Sequence, residues 1–204
     1  MADIIIKDLR RKDYSKTIDF AIAGMHFGRY IKSKIELRLY VRYFFYFELN
    51  KASQVIAAYL DDQLAGVLLA DIVGESKKHI SFWRGLYVKM AEAIMAIFFK
   101  DGVIPYDNAN DTILNAYNKS SNADGEICFL AADPNIQGKG IGTRLLDELA
   151  KREKGKLLYL FTDDNCTYQF YEHKGFRQAE EIKVDITVHS TTEPIILYIY
   201  DKQF

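Results

Sequence analysis

Seven residues constrain this chain more than any others: Gln137-Gly138-Lys139-Gly140-Ile141-Gly142-Thr143. They lie between an apolar stretch that reads as a strand, residues 126–132, and an amphipathic one that reads as a helix, residues 143–154. Alternating glycines at a helix start leave successive backbone N–H groups bare, and the helix dipole adds positive charge there. Such a turn suits a phosphate or pyrophosphate; its plainer reading is a tight turn with close helix–strand packing. The phosphate-loop pattern GxxxxGK[ST] fails, because Lys139 is followed by Gly140. The dinucleotide pattern GxGxxG fails too. The spacing here is GxGxG, and Asp133-Pro134-Asn135-Ile136-Gln137 separates the strand from the first glycine. Asp163, after the next strand, could mimic a ribose-binding acid and keeps a dinucleotide oxidoreductase as an alternative.

Composition narrows the partners. The chain has 204 residues, with 27 Lys+Arg against 28 Asp+Glu. That balance argues against a mainly electrostatic grip on nucleic acid or an anionic membrane. The strictly apolar run at residues 93–99 is far short of the ~20 residues that span a bilayer. Cys128 and Cys166 form no metal-ligand pattern, the four histidines are scattered, and a reducing compartment fits. The N-terminal segment lacks the apolar core of a secretion signal. The expectation is a soluble cytoplasmic protein with no metal. Fourteen Tyr and thirteen Phe are the one compositional peculiarity, concentrated in residues 38–49. These rings could hold a cationic or aromatic amine, but packing in a core or a homodimer interface is the favoured reading.

Periodicity predicts a strand at residues 4–9, helices at 13–30 and 34–49, and a hairpin of strands at 54–60 and 64–72. Residues 74–124 interrupt the rhythm with helices at 82–100 and 110–119. The strand at 126–132, the helix at 143–154, a strand at 157–162 and a helix at 165–173 follow. Strands at 176–188 and 194–201 close the chain.

Leu130-x-Ala132-x-Pro134-x-x-Gln137-Gly138-x-Gly140-Ile141-Gly142 resembles the acetyl-coenzyme A motif of the GNAT superfamily of N-acetyltransferases. The element order matches the superfamily as well, clearly over residues 126–176 and by topology over most of the rest. The resemblance implies an α/β (α+β) fold: a mixed, mostly antiparallel sheet of six to seven strands flanked by helices. Residues 1–204 would form one acetyltransferase domain with a helical insertion at 74–124. It also implies acetyl-coenzyme A as cosubstrate, with the amides of Gly138, Lys139, Gly140, Ile141, Gly142 and Thr143 around the pyrophosphate. Gln137 belongs to the same turn, and Leu130 and Ala132 would pair their backbone with the pantetheine arm. Asp163-Asp164-Asn165 through Tyr171-x-x-x-Gly175-Phe176 resembles the family's second block. Tyr171 then takes the place of the tyrosine that protonates the departing thiolate. Asn165, the pantetheine-binding asparagine by analogy, stands one residue nearer that tyrosine than usual.

Amine acetylation needs a neutral amine, hence a base. Glu126 opens the motif strand, and strict alternation would put it on one face with Cys128, Leu130 and Ala132. Its register with the glycine motif resembles the histone-acetylating branch, where a glutamate acts through water. His26, His173 and His189 read as structural, and Cys166 as a buried cysteine. The expected function is acetyl transfer to a primary amine of a small molecule or peptide by direct attack, with no nucleic-acid or membrane partner. A non-catalytic acetyl-coenzyme A sensor or scaffold is the alternative.

Overall fold

The computed structural model describes the backbone of residues 3–25, 28, 31, 33–98, 100–136, 138–188 and 191–204, and the side chains of these except 96–98, 100–107, 186–188, 191 and 193. Gln137, His26 and His189 lie outside the described residues. The elements are β1 (Ile4–Lys7), α1 (Tyr14–Gly24), α2 (Lys34–Lys51), β2 (Gln54–Leu60), β3 (Gln63–Ile72), α3 (Phe82–Phe98) and α4 (Lys100–Ser120), followed by β4 (Gly125–Ala132), α5 (Ile141–Arg152), β5 (Leu157–Asp163), α6 (Gln169–His173), β6 (Arg177–Val188) and β7 (Thr191–Gln203). One seven-stranded sheet runs in the order β1-β2-β3-β4-β5-β7-β6. Every pairing is antiparallel except β4 with β5. The expected mixed, mostly antiparallel sheet is therefore present.

Local chemistry starts these elements. Ser33 caps α2 by accepting from the Glu36 N–H at 3.4 Å, an S-x-x-E arrangement. Asp61 and Asp62 take positive φ in the β2–β3 turn, where short polar side chains tolerate a primed hairpin turn. Ile141, Leu145, Leu146 and Leu149 form the buried stripe of α5. They meet Leu68, Ala70, Ile127, Leu158 and Tyr200 on one face of the sheet. The opposite face carries two coverings. α1 and α2 lie over β2, β3 and β4 through Phe20, Val41, Phe45 and Leu49. α4 lies over β5, β7 and β6 through Ile113 and Tyr117, which pack on Tyr159, Phe161, Ile182 and Ile199.

The ring-rich stretch of α2 packs, as favoured from sequence. Phe45 is fully buried, Phe44 and Phe45 meet Phe129, and Tyr46 meets Tyr87 of α3 edge-on.

Several boundaries differ from the sequence reading, among them the ends of β1 at Lys7 and of α1 at Gly24, and three have a clear physical cause. α4 begins at Lys100, ten residues before the expected start, and runs through Pro105, because its C-terminal half is anchored on β6 and β7 and packing outweighs propensity. The helix expected from residue 165 is confined to residues 169–173. Asp163 Oδ1 accepts from the N–H groups of Asn165 and Cys166 at 2.8 and 3.0 Å, holding a turn in place of helix. β7 also starts before Pro194. Its pairing with β5 begins only at Leu197, so the missing N–H of Pro194 faces no β5 partner.

Candidate active site

The glycine turn has the backbone geometry of a candidate anion cradle. Gly138 and Gly140 both take left-handed backbone, φ 77° and 69°, which an L side chain adopts only with strain. Gly140 occupies the N-cap of α5 and supplies no side-chain cap, and the first turn holds no acid. Arg144 N–H reaches Gly140 O at 2.9 Å, so the amides of the first turn precede the helical ladder and stay available to a ligand. Lys139 is exposed beside them. Asp133, which the sequence reading did not single out, braces the approach. It is buried, accepts from Asn135 N and Nδ2 at 2.9 and 3.0 Å, and lies 3.5 Å from Lys16 Nζ. Gly142 does different work. A Cβ there would sit 3.0 Å from the Phe170 ring, so this glycine lets α6 close on α5.

Beside the cradle the sheet opens. β4 and β5 pair only at Gly125↔Leu158 and Glu126↔Tyr159 and then part, while the other edge of β4 stays paired with β3 as far as Ala132. The β5-facing edge beyond Glu126 therefore presents unpaired backbone donors and acceptors, a template for an extended amide-bearing ligand. Leu130 and Ala132 lie along this edge, half-buried and packed toward α5.

The expected common face for Glu126, Cys128, Leu130 and Ala132 does not form. Register shifts between Leu69 and Ala70, which pair with Phe129 and Ile127, so Cys128 is the extra residue of a β-bulge. Cys128, Phe129 and Ala131 pack toward α1 and α2, whereas Ile127, Leu130 and Ala132 pack toward α5. One extra residue reverses the alternation that the sequence reading assumed.

Glu126 joins a cluster that sequence did not reveal. Its Oε2 accepts from Lys51 Nζ at 2.7 Å and from the Tyr159 hydroxyl at 3.4 Å. Lys51 also lies 3.8 Å from Glu48 Oε2, a buried oxygen with no hydrogen-bond partner among the described residues. Burial pushes the Glu48 carboxyl up to about 7, with Lys51 opposing and Glu126 reinforcing the shift. Lys51 is held above its ordinary range because its two carboxylate partners outweigh burial. The Cys128 thiol is pushed well up by burial and the same acids, and Cys166 is pushed up to about 12 by burial and Asp163. Neither cysteine is a ready thiolate. An acid and a base three residues apart in the apolar stretch around Phe44–Leu49 were the available clue to this cluster. Lys51, Glu126 and Tyr159 line a cavity of about 520 Å³ that α4 helps wall through Leu114 and Asn118.

Tyr171 is half-buried in the core between sheet and α5, edge-on to Phe170 and Phe176. Its hydroxyl has no hydrogen-bond partner among the described residues. Burial, with Cys166 nearby, pushes it up, so the phenol keeps its proton across the physiological range. Asn165 sits in the turn braced by Asp163. His173 ends α6, exposed. Among the described residues no group of His, Cys, Asp and Glu could hold a metal ion, and no helix is long and apolar enough to cross a membrane.

Residues 104–178, from α4 to the start of β6, match the acetyltransferase (GNAT) domain family. No curated protein matches the chain by sequence. The fold is similar to solved acetyltransferases along its whole length. The PaiA N-acetyltransferase of Thermoplasma acidophilum, solved with coenzyme A, is 17% identical, with 99% of each chain covered and a TM-score of 0.54. A protein of Corynebacterium glutamicum described as histone acetyltransferase HPA2 and related acetyltransferase is 16% identical, with 97% of this chain and 96% of that one covered and a TM-score of 0.55. An agmatine N-acetyltransferase is 10% identical, with 98% and 100% covered and a TM-score of 0.52. Sheet topology and matched domain together define an acyltransferase fold. Residues 104–178 thus match a GNAT acetyltransferase domain, and the chain as a whole is similar in fold to GNAT acetyltransferases.

Proposed function

We propose that residues 1–204 form one acetyltransferase domain, with residues 74–124 as its insertion, that moves the acetyl group of acetyl-coenzyme A to a primary amine by direct attack. The observation that carries this reading is the juxtaposition of an uncapped glycine turn with the unpaired edge of β4. An extended ligand with a pyrophosphate at one end and amides along its arm fits both halves. The amides of residues 138–143 hold the pyrophosphate, and the backbone of Leu130 and Ala132 pairs with the arm. Gln137 completes the turn, and Asn165 adds a side-chain contact. The coenzyme supplies the activated acetyl group.

The chain's own residues handle the protons. Glu126, steadied by Lys51 and Tyr159, takes the amine proton through water. The new N–C bond forms as the C–S bond breaks, and Tyr171 gives its proton to the departing sulfur. Protonated cysteines and the lack of a Ser-His or Cys-His pair among the described residues argue for direct attack over a covalent enzyme intermediate. The acceptor is a small-molecule or peptide amine reaching the parted strands from the side of the Lys51–Glu126 cavity. Fold relatives are named for agmatine, for histone and for ribosomal-protein alanine as acceptors, all amine-bearing.

The alternative is an acetyl-coenzyme A sensor without turnover. Tyr171→Phe separates the two. Loss of steady-state turnover by ten-fold or more, with coenzyme A affinity retained in calorimetry, is the expected result. Unchanged turnover would remove Tyr171 as the acid, and a purified protein that acetyl-coenzyme A neither binds nor stabilises thermally would end the cofactor reading.

A further inference from the structure

α3 carries two apolar faces, and only one is used. Val88 is buried, Tyr87 meets Tyr46 edge-on and donates to Leu39 O at 3.3 Å, and Arg84 reaches Asn50 Oδ1 at 3.2 Å, so this side lies on α2. Phe82, Trp83, Leu86, Met90 and Ile94 recur at three- and four-residue spacing on the other side, with Ile80 just ahead of them. These six side chains are between 41% and 76% exposed. None of the helix's charged residues falls within that stripe. A helix apolar on both faces belongs in an interior. Large aromatic side chains bury about 150–250 Å² each, so the stripe offers on the order of 700 Å². That exceeds the ~300–600 Å² patch of a typical monomer and approaches the ~800 Å² per partner of a stable interface.

We propose that this stripe is the interface of a homodimer, in which α3 of one copy packs antiparallel on α3 of a second copy about a two-fold axis. The occupant follows from charge and area together. A stripe without charge is complementary to itself, as a two-fold contact requires, and its area matches one side of such a contact. An anionic lipid surface would call for a basic rim. On α3 itself the exposed charges among the described residues are one base and one acid, Lys89 and Glu92. Ile35 and Leu39 on the adjoining α2 are also exposed and extend the contact beyond the helix pair. This inference stands apart from the catalytic reading and holds whether or not the chain turns over acetyl-coenzyme A.

Light scattering on the purified chain at tens of micromolar should give twice the 23.5 kDa chain mass. The double variant Trp83→Glu/Met90→Glu should run at the single mass with unchanged far-ultraviolet circular dichroism. Trp83 is the only tryptophan, so the wild type supplies a second readout that needs no variant. Its emission should be blue-shifted at high concentration and move to the red on dilution. A wild type of single mass, a folded double variant that stays a dimer, or emission that ignores dilution would each overturn the proposal. A single-mass wild type that sediments with phosphatidylserine vesicles would overturn it in favour of a lipid surface.

Discussion

Glu48→Gln tests the buried cluster by a change of one proton's worth of charge. In the fold this carboxyl keeps its proton up to about pH 7, whereas its ordinary value is 4.5. Between those values the native state holds more protons than the unfolded chain, so stability falls as pH rises from 4.5 to about 7 and is level above that. At 1.36 kcal/mol per unit, the cost of ionising Glu48 is on the order of 3 kcal/mol. A glutamine has no charge to bury. The variant should match the wild type near pH 4 and exceed it by up to ~3 kcal/mol near pH 8, read from urea unfolding in a pH series. Lys51 keeps its 2.7 Å partner Glu126 in the variant, so it is not left unpaired. A variant less stable than the wild type near pH 8, or a gap that does not widen as pH rises, would refute the assignment of a carboxyl whose burial outweighs its attraction to Lys51.

Other outcomes follow from particular contacts. Gly140→Ala should cost ~1–2 kcal/mol in urea unfolding through backbone strain. A Cβ there meets nothing within 4 Å, so coenzyme A affinity measured by calorimetry should fall only through distortion of the turn. Unchanged stability would show that the left-handed cap is not required. Asp201→Asn should weaken the docking of α4. Asp201 accepts from Tyr117 at 3.2 Å and from Arg177 at 2.8 and 3.1 Å while almost fully buried. A loss of ~1–3 kcal/mol is expected, and a melting temperature equal to the wild type would refute it.

The β2–β3 hairpin and the glycine turn were legible because they rest on short-range signals. Residues 54–60 and 64–72 are apolar runs rich in branched residues joined by a short polar turn, and Gly138 and Gly140 sit where only glycine is easily accommodated. The start of α4 was not legible. Gly102 and Pro105 argue locally against helix, and what offsets them is a surface on β6 and β7 contributed some seventy residues later. The Glu48–Lys51–Glu126 cluster was half legible. Its members stand in the sequence as an acid and a base in an apolar helix and an acid opening a strand. Nothing local says that α2 lies over β4. The facing of Leu130 was misread for a sharper reason: a bulge is set by pairing between two strands and leaves no mark on either alone.

The bulge at Cys128 gives β4 a step in phase, and the step divides its labour. Upstream, Glu126 addresses the compartment beneath α2; downstream, Leu130 and Ala132 address the compartment beneath α5. A regular strand would commit both ends to one side, so that any change suited to one ligand would be felt by the other. Here the two ends are insulated by a single residue. Substitutions before Cys128 can change the Lys51–Glu126 cluster while the unpaired edge at Leu130 and Ala132 keeps its shape, and the converse holds after it. Deleting that one residue would merge the two compartments' demands on a single face.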